Sequence, residues 1–237
     1  MQDDQAGTPA GGDTAPVSGA VPFPSPPWRL RGTLYASLWR VPHDLAAALG
    51  GTGPPALRLG RSALLVTGWA RYAPGGALVY DEMLCAVPLS PVRRRAVRIG
   101  RIWVDSAASA AGGQALWAIP KRLGRFAGDP AAAGGATVAD TGIDTGTHSG
   151  AGPVASFRFT PSAAWRGGLL PGRWRFALRT EQPRGGEVVT AAIGVSGRLR
   201  PGRGTWTFAA DGPLAPLSGM TPWLTVALED ADMRFGG

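Results

Sequence analysis

The stretch GGQALWAIPKRLGRF, residues 112–126, contains the only lysine of the chain. The other 23 of the 24 basic residues are arginine. Two glycines lead into an apolar run that ends at Pro120, and Lys121 follows directly. A primary amine carries out chemistry that a guanidinium cannot, so Lys121 is a candidate functional residue.

Lys121 can be interpreted in two ways. A lysine attacks a carbonyl only as the neutral amine, and an apolar pocket or a nearby cation lowers the pKa of a lysine amine. Apolar residues precede Lys121 and Arg122 follows it, so both conditions are available in the sequence. The alternative is an ordinary solvated lysine in a turn after Pro120, which composition alone favours.

Composition predicts a globular chain with a polar tail. Of the 237 residues 44% are hydrophobic and 17% charged, which is enough apolar material for a sizeable core. Residues 1–20 are rich in Gly, Ala, Pro and Thr and lack aromatic residues, so we expect a disordered N-terminal tail. Aromatic and proline-rich sequence begins at residue 21, and we expect a single domain over 21–237.

The basic balance of the chain does not predict a nucleic-acid partner. The formal net charge is +8, but the arginines are spread along the sequence. The one dense run, RRRAVRIGR from Arg93 to Arg101, alternates as a strand does and is typical of a solvated strand face. We therefore expect neither nucleic acid nor a membrane as a partner.

The sequence disfavours a disulfide, a metal site, a membrane span and a signal peptide. Cys85 is the only cysteine, which excludes an intrachain disulfide, and neither His43 nor His148 has partners at metal-ligand spacing. No apolar run reaches the 18 residues of a membrane span, and residues 1–20 lack the apolar region of a signal peptide. The sequence thus predicts a cytoplasmic protein without a metal site.

Short alternating segments between Gly/Pro turns predict a mainly β fold with one or two short helices. The expected strands lie near 30–40, 62–72, 77–87, 96–104, 154–160, 173–180, 188–199, 204–209 and 223–235. Helices are expected over 42–50 and 105–117, the second capped by Asp105 or Ser106. Residues 127–152 are expected to form weak hairpins or a long loop. The strands are expected to form a mostly antiparallel, closed or barrel-like sheet.

The stretch around Lys121 resembles the Pro-Lys-Lys signature of the acetoacetate decarboxylase family. The segments VPFPSPPW (21–28), LVYDEMLCAVPL (78–89) and the tail 213–233 follow in the order and approximate spacing of that family. The resemblance covers residues 21–237 and implies the family's antiparallel, cone-like barrel. It also implies a β-keto acid substrate, no cofactor and a homo-oligomer.

The resemblance assigns roles to individual residues. Lys121 takes the place of the lysine that forms a Schiff base with a keto acid, and Arg122 replaces the second lysine as its electrostatic neighbour. Glu82 matches a glutamate that acts as acid, base or substrate-orienting group; its alternative is an outward-facing strand carboxylate. Arg31, Gln114 and Trp117 are the expected substrate-binding residues.

Three departures from the family pattern leave the reaction open. Gln114 and Ala115 replace an Arg-Glu pair, no carboxylate occurs near Thr67–Gly68, and Arg31 lies beside the family's arginine position rather than on it. The first hypothesis is a Schiff-base lyase that decarboxylates a β-keto acid through an enamine. The alternatives are an aldolase-dehydratase or cyclase on a larger keto acid in secondary metabolism, and a non-catalytic ligand-binding barrel.

Overall fold

The computed structural model describes five parts of the chain: residues 21–52, 56–89, 95–142, 151–162 and 171–236. The predicted disordered tail at 1–20 and His148 lie outside the described residues. In these parts the fold is mostly β, as the sequence predicts.

Eleven strands and two α-helices make up the described fold. The strands are β1 (Trp28–Pro42), β2 (Arg58–Leu59), β3 (Ser62–Ala73), β4 (Tyr80–Pro88), β5 (Ala96–Val104), β6 (Lys121–Gly128), β7 (Ala136–Asp140), β8 (Gly152–Pro161), β9 (Trp174–Arg184), β10 (Glu187–Phe208) and β11 (Leu224–Phe235). The helices are α1 (His43–Gly50) and α2 (Ala107–Trp117), and a 3-10 turn covers Ala215–Leu217. Ser106 caps α2 by accepting a hydrogen bond from the Ser109 N–H.

The strands form one sheet that closes on itself. Strand β1 pairs with both β11 and β3, so the path β1-β11-β10-β8-β7-β6-β5-β4-β3 returns to β1. Strand β9 links β10 to β5. The predicted closed sheet is confirmed, but β5 pairs in parallel with both β6 and β9. The β5–β6 pair is parallel because α2 is the crossover between them.

Two local predictions and one alternative interpretation need correction. The segments expected near 188–199 and 204–209 are one 22-residue strand, β10, which pairs first with β9 and then with β8. Lys121 does not lie in a turn but starts strand β6. In the arginine-rich run, Arg98 is buried and donates to the Gly50 carbonyl, so the expected solvated face does not include it. Arg95 is exposed, and Arg93 and Arg94 lie outside the described residues.

Alternating side chains of the closed sheet build two apolar clusters. One surrounds Trp39, Trp69 and Phe157, and the other surrounds Trp28 and Trp117. The first cluster contains stacked and tilted aromatic rings. The second cluster, with Tyr35 and Trp69 of the first, lines a cavity, and the candidate site lies there.

Candidate active site

The end of helix α2 places Lys121 at the start of β6. Ala118 takes the left-handed conformation, and its N–H and that of Ile119 bond back to the carbonyls of Gln114 and Gly113. The chain therefore leaves the helix within three residues and enters the sheet beside Ile102 of β5. Lys121 is only 5% exposed as a result.

A glycine lets the lysine side chain pass the helix. A Cβ added at Gly113 would lie 2.7 Å from Cδ of Lys121, far inside van der Waals contact. A Cβ at Gly112 would meet the Trp28 ring in the same way. Both glycines lower the helix propensity of α2, but both are needed for this close approach.

The cavity beside Lys121 has a volume of about 310 Å³ and walls of hydrocarbon. Among the described residues that line it, Lys121 and Glu82 are the only charged ones. Most of the others are aliphatic or aromatic, including Trp28, Ile99 and Phe235. The charged pair therefore sits in surroundings of low dielectric, where its interaction is strong.

The amine of Lys121 has three close partners. Its Nζ lies 2.8 Å from Oε2 of Glu82, 2.9 Å from Oγ of Ser109 and 3.3 Å from the hydroxyl of Tyr80. All four residues are buried. The ammonium can donate each of its three protons to one of these oxygens, so the nitrogen is held at one position.

Two tyrosines flank the Glu82 carboxylate. The hydroxyl of Tyr80 lies 3.2 Å from Oε2, and that of Tyr72 lies 3.5 Å from Oε1. Burial, and then the negative charge of Glu82, raises the pKa of both tyrosines well above the usual value. Both hydroxyls therefore stay protonated at neutral pH and can donate a hydrogen bond.

Arg122 does not lie beside the amine. Successive residues of a strand point to opposite faces, and Arg122 Nε instead donates to Oδ2 of Asp140 at 2.9 Å. Trp103 Nε1 donates to the same oxygen at 2.9 Å. The expected electrostatic neighbour of Lys121 thus lies on the other face of the sheet, in an ion pair with Asp140.

The three expected substrate-binding residues take different places. Trp117 lines the cavity, packed edge-on against Trp28. Gln114 donates from Nε2 to the Lys121 carbonyl at 2.6 Å, so it holds the backbone of the lysine. Arg31 is 60% exposed, pairs with Asp232 at 3.5 Å and is not among the residues that line the cavity.

Sequence reasoning missed Ser109, Tyr72 and Tyr80. Tyr80 stands two residues before Glu82 on β4, so the period of two that places Glu82 inward also places Tyr80 inward. Tyr72 is the cross-strand partner of Tyr80. Ser109 comes from a helix, and no pattern in the sequence joins it to Lys121.

Neither a metal-binding cluster nor a membrane-crossing helix is found in the parts of the chain that the structure describes. No three His, Cys, Asp or Glu side chains converge there. No helix in those parts is long and apolar enough to cross a membrane.

Comparison with known proteins places the chain in a family. Residues 14–227 match the family model described as acetoacetate decarboxylase. A structure described as acetoacetate decarboxylase aligns over 90% of this chain and 88% of its own, at 18% identity and a TM-score of 0.55. An acetoacetate decarboxylase-like enzyme from Sphingomonas wittichii RW1 aligns over 89% and 91%, at 17% identity and 0.55.

A third similar structure belongs to a biosynthetic enzyme. It is the enduracididine biosynthesis enzyme MppR, complexed with the condensation product of pyruvate and imidazole 4-carboxaldehyde. It aligns over 95% of this chain and 96% of its own, at 18% identity and a TM-score of 0.55. At these identities the likeness to all three structures shows the fold. No match was found among proteins with curated descriptions.

Proposed function

The chain belongs to the acetoacetate decarboxylase family, and on that premise we propose that it is a lyase that forms a Schiff base with a β-keto acid and releases carbon dioxide. One observation carries the proposal. The only lysine of the chain is buried at an apolar cavity with its Nζ 2.8 Å from the Glu82 carboxylate. This geometry provides a nucleophile and the acid/base group that it needs.

Glu82 is positioned to activate the amine. The Lys121 ammonium passes one proton to Oε2 across the 2.8 Å contact, which leaves a neutral amine and a neutral acid. The amine nitrogen then bonds to the carbonyl carbon of the substrate and forms a carbinolamine. Glu82 returns its proton to the hydroxyl, which leaves as water, and the product is an iminium on Lys121.

The iminium is the electron sink for carbon–carbon cleavage. The bond to the carboxylate breaks, its electron pair moves toward the iminium nitrogen, and carbon dioxide and a neutral enamine result. A proton taken up from solvent adds to the enamine carbon and regenerates the iminium, and water hydrolyses it to the ketone and the Lys121 ammonium. Cleavage removes both the carboxylate charge and the iminium charge, which low-dielectric walls favour.

Borohydride trapping tests the proposed function. The protein is incubated with a panel of keto acids and reduced, and the adduct is located by mass spectrometry. We expect a reduced adduct on the Lys121 peptide of the wild type and none in Lys121→Ala or Lys121→Arg, together with carbon dioxide release by the wild type alone. Absence of an adduct with every keto acid would support the non-catalytic ligand-binding barrel instead.

A second candidate uses the same imine for aldol condensation and dehydration of a larger keto acid. Lys121 is the only cation among the described residues that line the cavity, so no guanidinium there holds a carboxylate as the leaving group. The MppR complex with a condensation product supports this candidate through its similar fold. Product analysis separates the two reactions, because only the first releases carbon dioxide.

A further inference from the structure

We propose that the site takes a carbonyl compound with an extended apolar body, meaning a β-keto acid with an alkyl chain or aryl group, in preference to a small polar keto acid. This inference rests on the proposed Schiff-base function of Lys121. It adds to that function the chemical class of the substrate, which the distribution of polar and apolar groups in the cavity indicates.

The two charged groups of the cavity and the hydroxyls of Tyr72 and Tyr80 are gathered at Lys121. Glu82, Tyr80 and Tyr72 are linked to one another and to the amine by contacts of 2.8 to 3.5 Å. These residues come from β3, β4 and β6. These residues bind the reacting carbonyl and exchange protons with it. The rest of the ligand therefore contacts the other walls of the cavity.

A hydrocarbon wall comes from the β9–β10 hairpin. Leu178 and Ile193 are direct cross-strand partners, and both line the cavity with Val195. Phe176 is the cross-strand partner of Val195, so it lies on the same face, and it is 40% exposed. The apolar wall therefore runs from the cavity to the protein surface.

The charge balance of the cavity also favours an apolar body. Lys121 and Glu82 offset each other, and the described lining residues offer no further charged group. Beyond the carboxylate that leaves as carbon dioxide, a charged or strongly polar substituent would lie unpaired against hydrocarbon, which costs affinity. An alkyl or aryl group gains affinity there in proportion to the area that it buries.

The cavity volume supports the same substrate class. At about 310 Å³ the cavity reaches the lower end of the range for sites that take drug-sized ligands. A four-carbon keto acid fills only part of this space and forfeits contacts with the remaining walls. A longer chain restores those contacts.

Trapping with a homologous series tests the inference. The probes are β-keto acids whose alkyl group grows from methyl to propyl, pentyl and heptyl. We expect the concentration for half-maximal trapping to fall about fourfold per added methylene until the cavity is filled. Equal or weaker trapping of the longer acids overturns the inference while the proposed function stands.

Binding without chemistry separates failure of the inference from failure of the proposed function. The Lys121→Ala variant forms no imine, so calorimetric titration with neutral methyl ketones measures binding to the cavity without chemistry. If no acid is trapped, the proposed function fails. A preference of this variant for long methyl ketones still supports the apolar body, and equal affinity for all of them overturns it.

Matched variants locate the apolar wall. Leu178→Asn places an amide in it, and we expect the ratio of heptyl to methyl trapping to fall roughly tenfold. Val188→Asn is the control, because Val188 lies on the same hairpin, is 48% exposed and does not line the cavity. If Leu178→Asn does not fold, the nearly isosteric Val195→Thr takes its place. An unchanged ratio in the folded variant overturns the inference.

Discussion

Lys121 and Arg122 are consecutive residues whose side chains lie on opposite faces of one strand. Lys121 contacts Glu82 at the cavity, whereas Arg122 contacts Asp140 on the far side of the sheet. Two adjacent basic residues therefore serve different purposes. The amine is available for chemistry, and the guanidinium ties β6 to the end of β7.

Replacing Arg122 tests this separation. Arg122→Met leaves the largely buried Asp140 carboxylate without its ion pair, and we expect the free energy of unfolding to fall by roughly 2–4 kcal/mol. The exposed Arg125 of the same strand is the matched control, and Arg125→Met is expected to change stability little. Urea unfolding measures both. A shift in the pH dependence of imine trapping in folded Arg122→Met would show that Arg122 acts on the amine after all.

Asp140 makes part of the stability pH-dependent. Burial alone would raise its pKa, but hydrogen bonds from Trp103, the Gly142 N–H and Arg122, with the charge of Arg122, together lower it. A lowered carboxyl pKa stabilises the fold above the unfolded value of about 3.9, and this contribution is lost as the pH falls through the folded value. We expect the urea midpoint to fall on acidification.

Asp140→Asn removes this titration and should flatten the profile of urea midpoint against pH. Asp211→Asn, at an exposed position, is the control and should follow the wild type. If Asp140→Asn keeps the acid dependence of the wild type, the carboxylate is not its source.

Glu82 is expected to be the principal acid/base group. Glu82→Gln keeps the shape but cannot accept the ammonium proton, so we expect turnover to fall by roughly 10²–10⁴-fold. Asp81→Asn is a matched control on the same strand, because Asp81 pairs with Arg71 away from the amine. Steady-state rates with the substrate found by trapping measure both. Turnover of Glu82→Gln close to the wild type would require another proton acceptor.

Ser109 is expected to hold the amine in position. Ser109→Ala removes a 2.9 Å partner of Nζ, and we expect turnover to fall roughly tenfold to a hundredfold with little change in KM. Ser106→Ala is the control on the same helix: it removes the cap and lowers stability by about 1 kcal/mol without touching the amine. Equal losses of turnover in both variants would mean that helix order, not the serine hydroxyl, is what matters.

Gly113→Ala is expected to harm the site although it improves helix propensity by roughly 1 kcal/mol. The added Cβ meets Cδ of Lys121 at 2.7 Å, so the side chain must move and its amine leaves the position beside Glu82. We expect slower trapping and no gain in melting temperature. Gly134→Ala, where nothing lies within 4 Å of the added Cβ, serves as the control. Unchanged trapping in Gly113→Ala would show that the lysine has room to adapt.

Alternation and turn residues were sufficient to predict most strands. Strand β3 is buried at every second residue over most of its length, and both β3 and β5 lie within a residue of their expected bounds. Strand β6 was missed because Pro120 reads as a turn signal. Without the strand, the sequence does not show which of its side chains share a face. Arg122 is therefore expected beside the Lys121 amine, whereas it lies on the opposite face of the sheet.

For a related reason, the sequence predicts only some of the residues of the candidate site. Glu82 and Lys121 lie in sequence segments that resemble the family motifs. Their contact depends on the order in which the strands pair around the closed sheet, which local sequence patterns do not predict. Ser109 reaches the amine because α2 crosses from β5 to β6. The expected cytoplasmic location and homo-oligomeric assembly stay predictions.

Closure of the sheet has a consequence for how this protein can be observed. The walls around Lys121 come from strands at both ends of the described chain, so they exist together only while the whole circuit is paired. The chain offers no second lysine to compete for an amine-reactive label. The labelling rate of this one side chain, with the N-terminal amine as internal reference, therefore measures how accessible the cavity amine is in the native fold, and we expect it to rise when the sheet opens.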